Sequence, residues 1–386
     1  MKILSIETSC DETAVSIVDA KGDFPDAVYS VLGNALFSQV DIHREYGGVF
    51  PSVAKREHSK TLVPMLKRAL EEASLLRTED GILSQHHQEI IEETLQREPE
   101  LAESLTAFFE SNGKPDIDLI AVTNGPGLEP ALWVGVNFAR TLSQVWNIPV
   151  VPVDHMEGHI LSSVYDGEKI PPLVFPALAL LISGGHTELV LIPEWGSYTV
   201  IGETRDDAVG EAFDKVARML GLPYPGGPEI GSLAALARTD NIPEFQQLPL
   251  PMLDSADLDF SFSGLKTAVR YAIDGKDLTD NEKAAVARDF EDVVVKVLLK
   301  KSQKAVDAHD IRSLILGGGV TANTYLKERF GSFFTEEYPD LAVYFPDRKL
   351  STDNSIMIAL AGHAHAKEML QPEDAATIKA DGNLSL

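Results

Sequence analysis

Apolar residues along this chain come in short runs that stop at glycines, prolines and carboxylates, and the runs recur in one order. Residues 2–6 predict a strand, Glu7-Thr8-Ser9-Cys10-Asp11-Glu12-Thr13 a polar turn, and residues 14–19 a second strand. Together they form a hairpin with an acidic, hydroxyl-rich tip. Gly47-Gly48 and Pro51 mark a turn before a helix that runs to Glu72. From 76 to 115 the texture changes. Glu79, Asp80, Glu89, Glu92, Glu93, Glu98, Glu100 and Glu103 dominate, while Leu101, Leu105, Phe108 and Phe109 repeat at helical spacing. This predicts one or two amphipathic helices inserted into the domain, packing against the parent domain in preference to a partner, with residues 80–112 at the surface and open to shortening. Residues 119–123 then predict a strand, Asn124-Gly125-Pro126-Gly127 a turn, 130–144 a helix and 148–153 a buried strand, which is a βαβ unit.

The second half repeats the order. Residues 174–182 and 187–192 predict strands around a Ser183-Gly184-Gly185-His186 turn. Residues 313–316 predict a strand that enters Gly317-Gly318-Gly319 and a helix, and 341–345 a strand leading to Thr352-Asp353-Asn354. A helix is expected over 355–365 and a tail from about Gln371. Between the repeats, Ser263 is positioned to cap a helix. Lys296, Lys300, Lys301 and Lys304 read as a solvated helix face. The fold class is therefore α/β, built from a duplicated hairpin-plus-βαβ unit.

The first copy's last strand leads into Asp154-His155-Met156-Glu157-Gly158-His159. Two histidines four apart share one helix face, so both imidazoles reach one metal ion. The zinc-protease pattern, with Glu directly after the first His, is not met, because Met156 stands there. In a duplicated α/β protein ligands bind at the carboxyl ends of the strands. Two histidines from one copy and Asp353 from the other would make an open three-ligand site. Tyr224-Pro225-Gly226-Gly227-Pro228 is a backbone-exposing turn suited to a ribose or base edge. Asp214 suits a ribose diol or, equally, a helix surface.

Across 386 residues, Lys+Arg is 33 and Asp+Glu is 59, a net charge of 33 − 59 = −26. Such a chain repels nucleic acid unless basic residues are segregated or a partner supplies them. The segregated candidates are Lys55, Arg56 and Lys60. One cysteine, Cys10, excludes an internal disulfide. No apolar run is long enough to span a bilayer. The start reaches Glu7 too soon for a signal peptide, so a cytoplasmic location is expected.

The motifs go further than the fold. Residues 5–13, Gly47-Gly48-Val49 with Arg56 and His58, Gly125-Pro126-Gly127-Leu128, and His155-Met156-Glu157-Gly158-His159 match one family. So do residues 181–187, 210–215, 224–228 and 262–267, Gly318-Gly319-Val320 with Asn323, and Thr352-Asp353-Asn354. The chain resembles the tRNA N6-adenosine threonylcarbamoyltransferase family, once described as glycoproteases, over nearly its whole length. The resemblance implies the actin-like ATPase superfold, with two duplicated lobes (1–153, carrying the 76–115 insertion, and 154–386) around a central cleft. It implies transfer of a threonylcarbamoyl group from threonylcarbamoyl-AMP to N6 of adenosine 37 in tRNAs reading codons that begin with A, with AMP released. By the same resemblance His155, His159 and Asp353 hold one divalent ion, iron or zinc. Leu181, Ile182, Ser183, Gly184, Gly185, Asp214, Gly227 and Asn323 would line the nucleotide substrate. Asp11, Glu12 and His186 would manage protons. The implied partners are tRNA and either accessory subunits (an inactive paralogue and a small ATPase) or a second copy of the chain. Arg140 stands where the family pattern leads one to expect Lys. A kinase or chaperone-type ATPase on the same fold is disfavoured, because such enzymes hold Mg²⁺ through phosphate and carboxylate oxygens. A non-catalytic scaffold is disfavoured by the intact triad.

Overall fold

The computed structural model describes residues 1–78 and 81–386, so Glu79 and Asp80 of the acidic run lie outside it. β1 (Lys2–Glu7) pairs antiparallel with β2 (Glu12–Lys21), from Lys2 opposite Asp19 to Glu7 opposite Ala14. A third antiparallel strand, β3 (Val28–Ser38), extends the expected hairpin to a meander. Its mixed exposed and buried positions, typical of a sheet edge, gave no clean alternation to read. The short α1 (Val40–Arg44) follows. α2 (Pro51–Glu72) starts on a proline, whose missing N–H costs nothing at a helix N-terminus, and buries Leu62, Leu66, Ala69 and Leu70.

The insertion departs from expectation. α3 (Gln85–Thr94), capped by Ser84, lies at the surface apart from Ile91. α4 (Pro99–Ser111), however, buries Leu101, Leu105, Phe108 and Phe109 in the main core. Phe108 and Phe109 pack edge-on against Trp146, with ring centroids 6.4 and 6.0 Å away. The helical spacing of these apolar residues was correctly read. Packing on the parent domain is as expected; the structure adds that this face joins the main core, so the helix is not a removable surface layer.

β4 (Leu119–Gly125) lies parallel to β1, α5 (Glu129–Trp146) crosses over, and β5 (Val150–Asp154) lies parallel to β4. The sheet order is β3-β2-β1-β4-β5. α6 (His155–Val164) leaves the end of β5.

The second sheet has β6 (Ala177–Ile182), β7 (Thr187–Glu194) and β8 (Ser197–Glu203) in an antiparallel meander. Then come α7 (Val209–Met219), α8 (Gly226–Thr239), α9 (Ser263–Ile273) and α10 (Asp280–His309). β9 (Ser313–Gly317) lies parallel to β6, α11 (Thr324–Glu337) follows, and β10 (Ala342–Tyr344) lies parallel to β9. Read from its far edge the order is β8-β7-β6-β9-β10, the first sheet's topology again. The duplicated hairpin-plus-βαβ unit expected from the sequence is therefore present in both sheets. α12 (Ser355–Ala364) returns to the first sheet and packs on β1 and β2.

The chain forms two compact units: Met1–Ile42 with Val49–Pro171 and Asp353–Leu386, and His43–Gly48 with Pro172–Thr352. They do not divide at a single point near 153. α6 and everything from Asp353 belong to the first unit, so Asp353, which follows the second copy's last strand in sequence, shares a unit with the two histidines. No helix among the described residues is long and apolar enough to cross a membrane.

Three smaller expectations are corrected. The stretch from Gln371 is not a loose tail: Ala375 and Ile378 join the first core. Asp381 N–H donates to Asn124 O at 2.8 Å, and Arg140 Nη2 donates to Ala376 O at 3.0 Å. Ser263 does not cap α9, since its hydroxyl donates to Asp206 at 2.6 Å. Lys301 is buried, donating to Ser255 Oγ at 2.7 Å and Asp257 O at 2.9 Å, so it is not part of a solvated face.

Candidate functional site

The first unit gathers its chemistry at the ends of β1, β5 and α12. Asp154 caps α6, its carboxylate accepting from Met156 N–H at 2.7 Å and Glu157 N–H at 3.3 Å. That cap fixes the first helical turn, and the four-residue spacing turns His155 and His159 to one side. Their rings pack edge-to-face with centroids 4.7 Å apart. Asp353, just ahead of the Asn354 cap of α12, meets both: its Oδ1 is 3.4 Å from His155 Nε2 and 3.1 Å from His159 Nε2. One ligand atom from each residue lies within 4.8 Å of the others, and both imidazoles are buried. Two imidazole nitrogens and one carboxylate oxygen are the donor set of an open transition-metal site, so the residues fit the implied ion.

Behind His155 stands a residue the sequence reading assigned only to a polar turn. Glu7 ends the largely apolar β1 and is fully buried. Its Oε2 accepts from His155 Nδ1 at 3.1 Å and Thr123 Oγ1 at 2.6 Å, and its Oε1 from Ser9 N–H at 2.5 Å. Ser9 Oγ lies 3.2 Å from the same Nδ1. This fixes the tautomer that presents Nε2 to an ion. Burial would raise the Glu7 carboxyl, but the facing His155 holds it below the usual range. Burial likewise opposes ionisation of Asp353, yet the two histidines hold it well below the carboxylate range. His159 has no such support, because its Nδ1 is buried without a partner. A carboxylate directly after the mostly apolar run Ile3-Leu4-Ser5-Ile6 was the available signal for Glu7.

Asp11 and Glu12, expected to move protons, lie on the β1–β2 tip. Burial first, then the charges of Asp11 and Asp353, push the Glu12 carboxyl well above its ordinary value. Glu12 therefore holds its proton more tightly than an exposed carboxyl does. Cys10 is pushed up by the same causes and is not a thiolate. His58 makes no site of its own. Its Nδ1 lies 2.8 Å from Thr13 Oγ1 and its Nε2 3.0 Å from Cys10 O, which props the tip.

The second unit holds the other expected residues. Leu181 and Ile182 are wholly buried in β6, so only their backbone is available to a ligand. Ser183 Oγ accepts from Gly185 N–H at 3.3 Å and His186 N–H at 3.0 Å, shaping the β6–β7 turn on which His186 sits. A Cβ at Gly184, Gly185, Gly227 or Gly319 would meet nothing within 4 Å, so these turns border open space. Gly318 has φ of 89°, a conformation side chains disfavour. Asp214 accepts from Gly226 N–H at 2.7 Å and so pins the start of α8. Asn323 caps α11 through Leu326 N–H at 2.9 Å and donates to Glu291 at 2.6 Å. Asp214 and Asn323 thus hold the starts of α8 and α11 in place.

The expected basic patch is largely neutralised. Lys55 pairs with the buried Glu98 at 3.0 Å, while Arg56 and Lys60 share Glu57 at 3.2 and 3.0 Å.

A family model described as tRNA N6-adenosine threonylcarbamoyltransferase matches residues 30–83 and 81–360. A protein of that name from Ralstonia pickettii is 40% identical over 367 residues, covering 94% of this chain and 90% of its own length. Another, from Nitrosomonas europaea, is 39% identical over 387 residues, covering 100% of this chain and 99% of its own length. Among solved structures, a ROK hexokinase from Thermus thermophilus is similar at a TM-score of 0.45 and 13% identity, covering 95% of this chain and 100% of that one. That distant likeness has no bearing on function.

Proposed function

This chain belongs to the tRNA N6-adenosine threonylcarbamoyltransferase family, and from that premise we propose that it uses threonylcarbamoyl-AMP as acyl donor. The acceptor is N6 of adenosine 37 in tRNAs reading codons that begin with A, and AMP leaves. The observation that carries the reading is the convergence of His155 and His159 on Asp353, a donor set for a divalent ion in a chain of this family. These three residues would hold iron or zinc, which as a Lewis acid would polarise the carbonyl under attack.

The protein's own groups do the rest. Glu7 orients His155 and keeps its Nε2 available. The turns at Gly184-Gly185, Gly226-Gly227 and Gly317-Gly318-Gly319 would let backbone N–H groups approach the adenylate phosphate. The backbone of Leu181, Ile182 and Ser183 would run along the nucleotide, with Asp214, Gly227 and Asn323 at its adenosine part. Adenine N6 is a weak nucleophile, so activation of the donor matters more than a strong base. Glu12, whose raised carboxyl favours holding a proton, is suited to give one to the leaving group and Asp11 to take one from N6; His186 is the third candidate. An acidic chain needs basic surface from elsewhere to hold tRNA. We therefore infer that accessory subunits or a second copy complete the assembly, in the cytoplasm.

The test supplies the protein, its candidate accessory subunits, synthetic threonylcarbamoyl-AMP and unmodified tRNA. Modified adenosine should appear in step with AMP. His155→Ala or Asp353→Ala should lose bound metal and at least about 100-fold in rate with the fold retained. AMP without modified tRNA under every combination of partners would make the protein a hydrolase, and an undiminished metal content in the double His155/His159 variant would place the ion elsewhere.

A further inference from the structure

All three candidate ligands ride on α6 or at the start of α12, so the setting of one helix on the other aims them. The helices touch at Gly158, where a Cβ would stand 3.1 Å from Met357 Cγ and 3.2 Å from Ile358 Cδ1. Around that contact α6 is tied on two sides. On one, His155 and His159 face Asp353, which precedes α12. On the other, Glu157 receives a hydrogen bond from His365, which follows α12, with Nε2 2.7 Å from Oε2. Successive residues turn about 100° around a helix. Glu157 therefore points roughly opposite to the bisector of His155 and His159. Its side chain is only 5% exposed, so the carboxylate relies on protein partners and cannot be replaced by water. The second carboxylate near His365, Glu368 at 3.3 Å from Nδ1, is 74% exposed and leaves the imidazole free to serve Glu157.

We propose that His365 is a positioning residue: its bond to Glu157 fixes the rotation of α6 on α12 and so aims both ligand imidazoles at Asp353. The two ties work on one lever. Releasing Glu157 lets α6 roll about the Gly158 contact, and a few degrees of roll displaces the imidazole tips, which lie farthest from the helix axis. The inference rests on the metal centre proposed above. It adds that ligand geometry is set from the far end of α12, outside the ligand set.

The experiment measures Zn²⁺ affinity by chelator competition at constant pH, with thermal melting of the metal-free proteins alongside. Zn²⁺ is chosen because it has no redox chemistry. Wild type should bind about one ion. His365→Ala should bind it about tenfold more weakly or worse, and His365→Arg, which restores a cationic donor, should recover most of the loss. If wild type binds no ion, the metal reading fails. If wild type binds and His365→Ala binds equally well, the metal reading stands and the positioning role is overturned. A melting temperature that falls while Zn²⁺ affinity holds would also overturn it, as would an Arg variant no better than Ala. Should His365→Ala not fold, Glu157→Gln keeps the shape and removes the charge. It should show the same weakening, and unchanged affinity there refutes the proposal.

Discussion

Glu7 shows how much of the candidate centre depends on a residue outside the set of candidate ligands. It accepts three hydrogen bonds in a fully buried position, one of them from His155. Such outer carboxylates typically contribute about 10- to 100-fold to metal affinity. Glu7→Gln should therefore weaken Zn²⁺ binding by that factor in a chelator competition, and unchanged binding would show that His155 needs no orienting carboxylate. His365 gives a pH signature. The hydrogen bond and charge of Glu157, with a smaller effect of Glu368, overcome burial and raise its pKa from 6.5 to about 9. A folded-state value above the unfolded one stabilises fully below the unfolded pKa and loses that effect as pH rises through the folded value. Between about pH 6.5 and 9 the wild type should thus lose melting temperature relative to His365→Arg, which stays charged. A constant difference over that range would deny the charged pair a role in stability.

Among the elements, α4 differs most from its composition. It is acidic and lies in an insertion, yet it places Phe108 and Phe109 against Trp146 in the main core. Phe109→Ala should cost about 3–5 kcal/mol by the usual scale for a buried aromatic, read from denaturant melts. Removal of 99–111 should unfold the first unit, whereas a folded deletion variant would return α4 to the surface. α3 differs, as only Ile91 of its ten residues is buried, and it should tolerate substitution. The C-terminal stretch behaves like α4: residues with no distinctive chemistry are held because Asn124, Gly125 and Arg140 have matching backbone and side-chain partners there.

For the whole molecule, the question is how a chain of net charge −26 meets tRNA. The three basic residues near the start of α2 are not equivalent. Lys55 neutralises Glu98, whose side chain is 1% exposed, while Arg56 and Lys60 stand outward and share Glu57. Lys55→Ala should lower stability by about 1–3 kcal/mol, because it leaves a buried carboxylate without its charged partner and with only Asn137 Nδ2 at 3.4 Å, and should leave the salt dependence of tRNA binding unaltered. Arg56→Glu with Lys60→Glu should weaken tRNA binding by the assembled enzyme. It should also flatten the salt dependence, by about 0.9 in log–log slope for each phosphate no longer neutralised. If that double variant binds tRNA like wild type at every salt concentration, α2 lies off the tRNA path.

The sequence by itself determined the duplicated α/β order, the strands that end at His155 and near Asp353, the helix-face spacing of the two histidines, and the family. These are local quantities: periodicity, turn residues and spacing follow from backbone geometry within a few residues. It missed β3 and β8, whose half-buried patterns at sheet edges carry little alternation. Only the tertiary structure decided that Asp353 returns to the unit of the histidines. The same holds for Glu7 and His365 standing behind the ligands, for α4 and the C-terminal stretch belonging to the core, and for Lys55 being committed to Glu98. Each of these depends on residues far apart in the chain meeting in space. Whether a carboxylate is a ligand, a support or a solvated charge is fixed by burial and by the partner it meets, neither of which is encoded in its sequence neighbours.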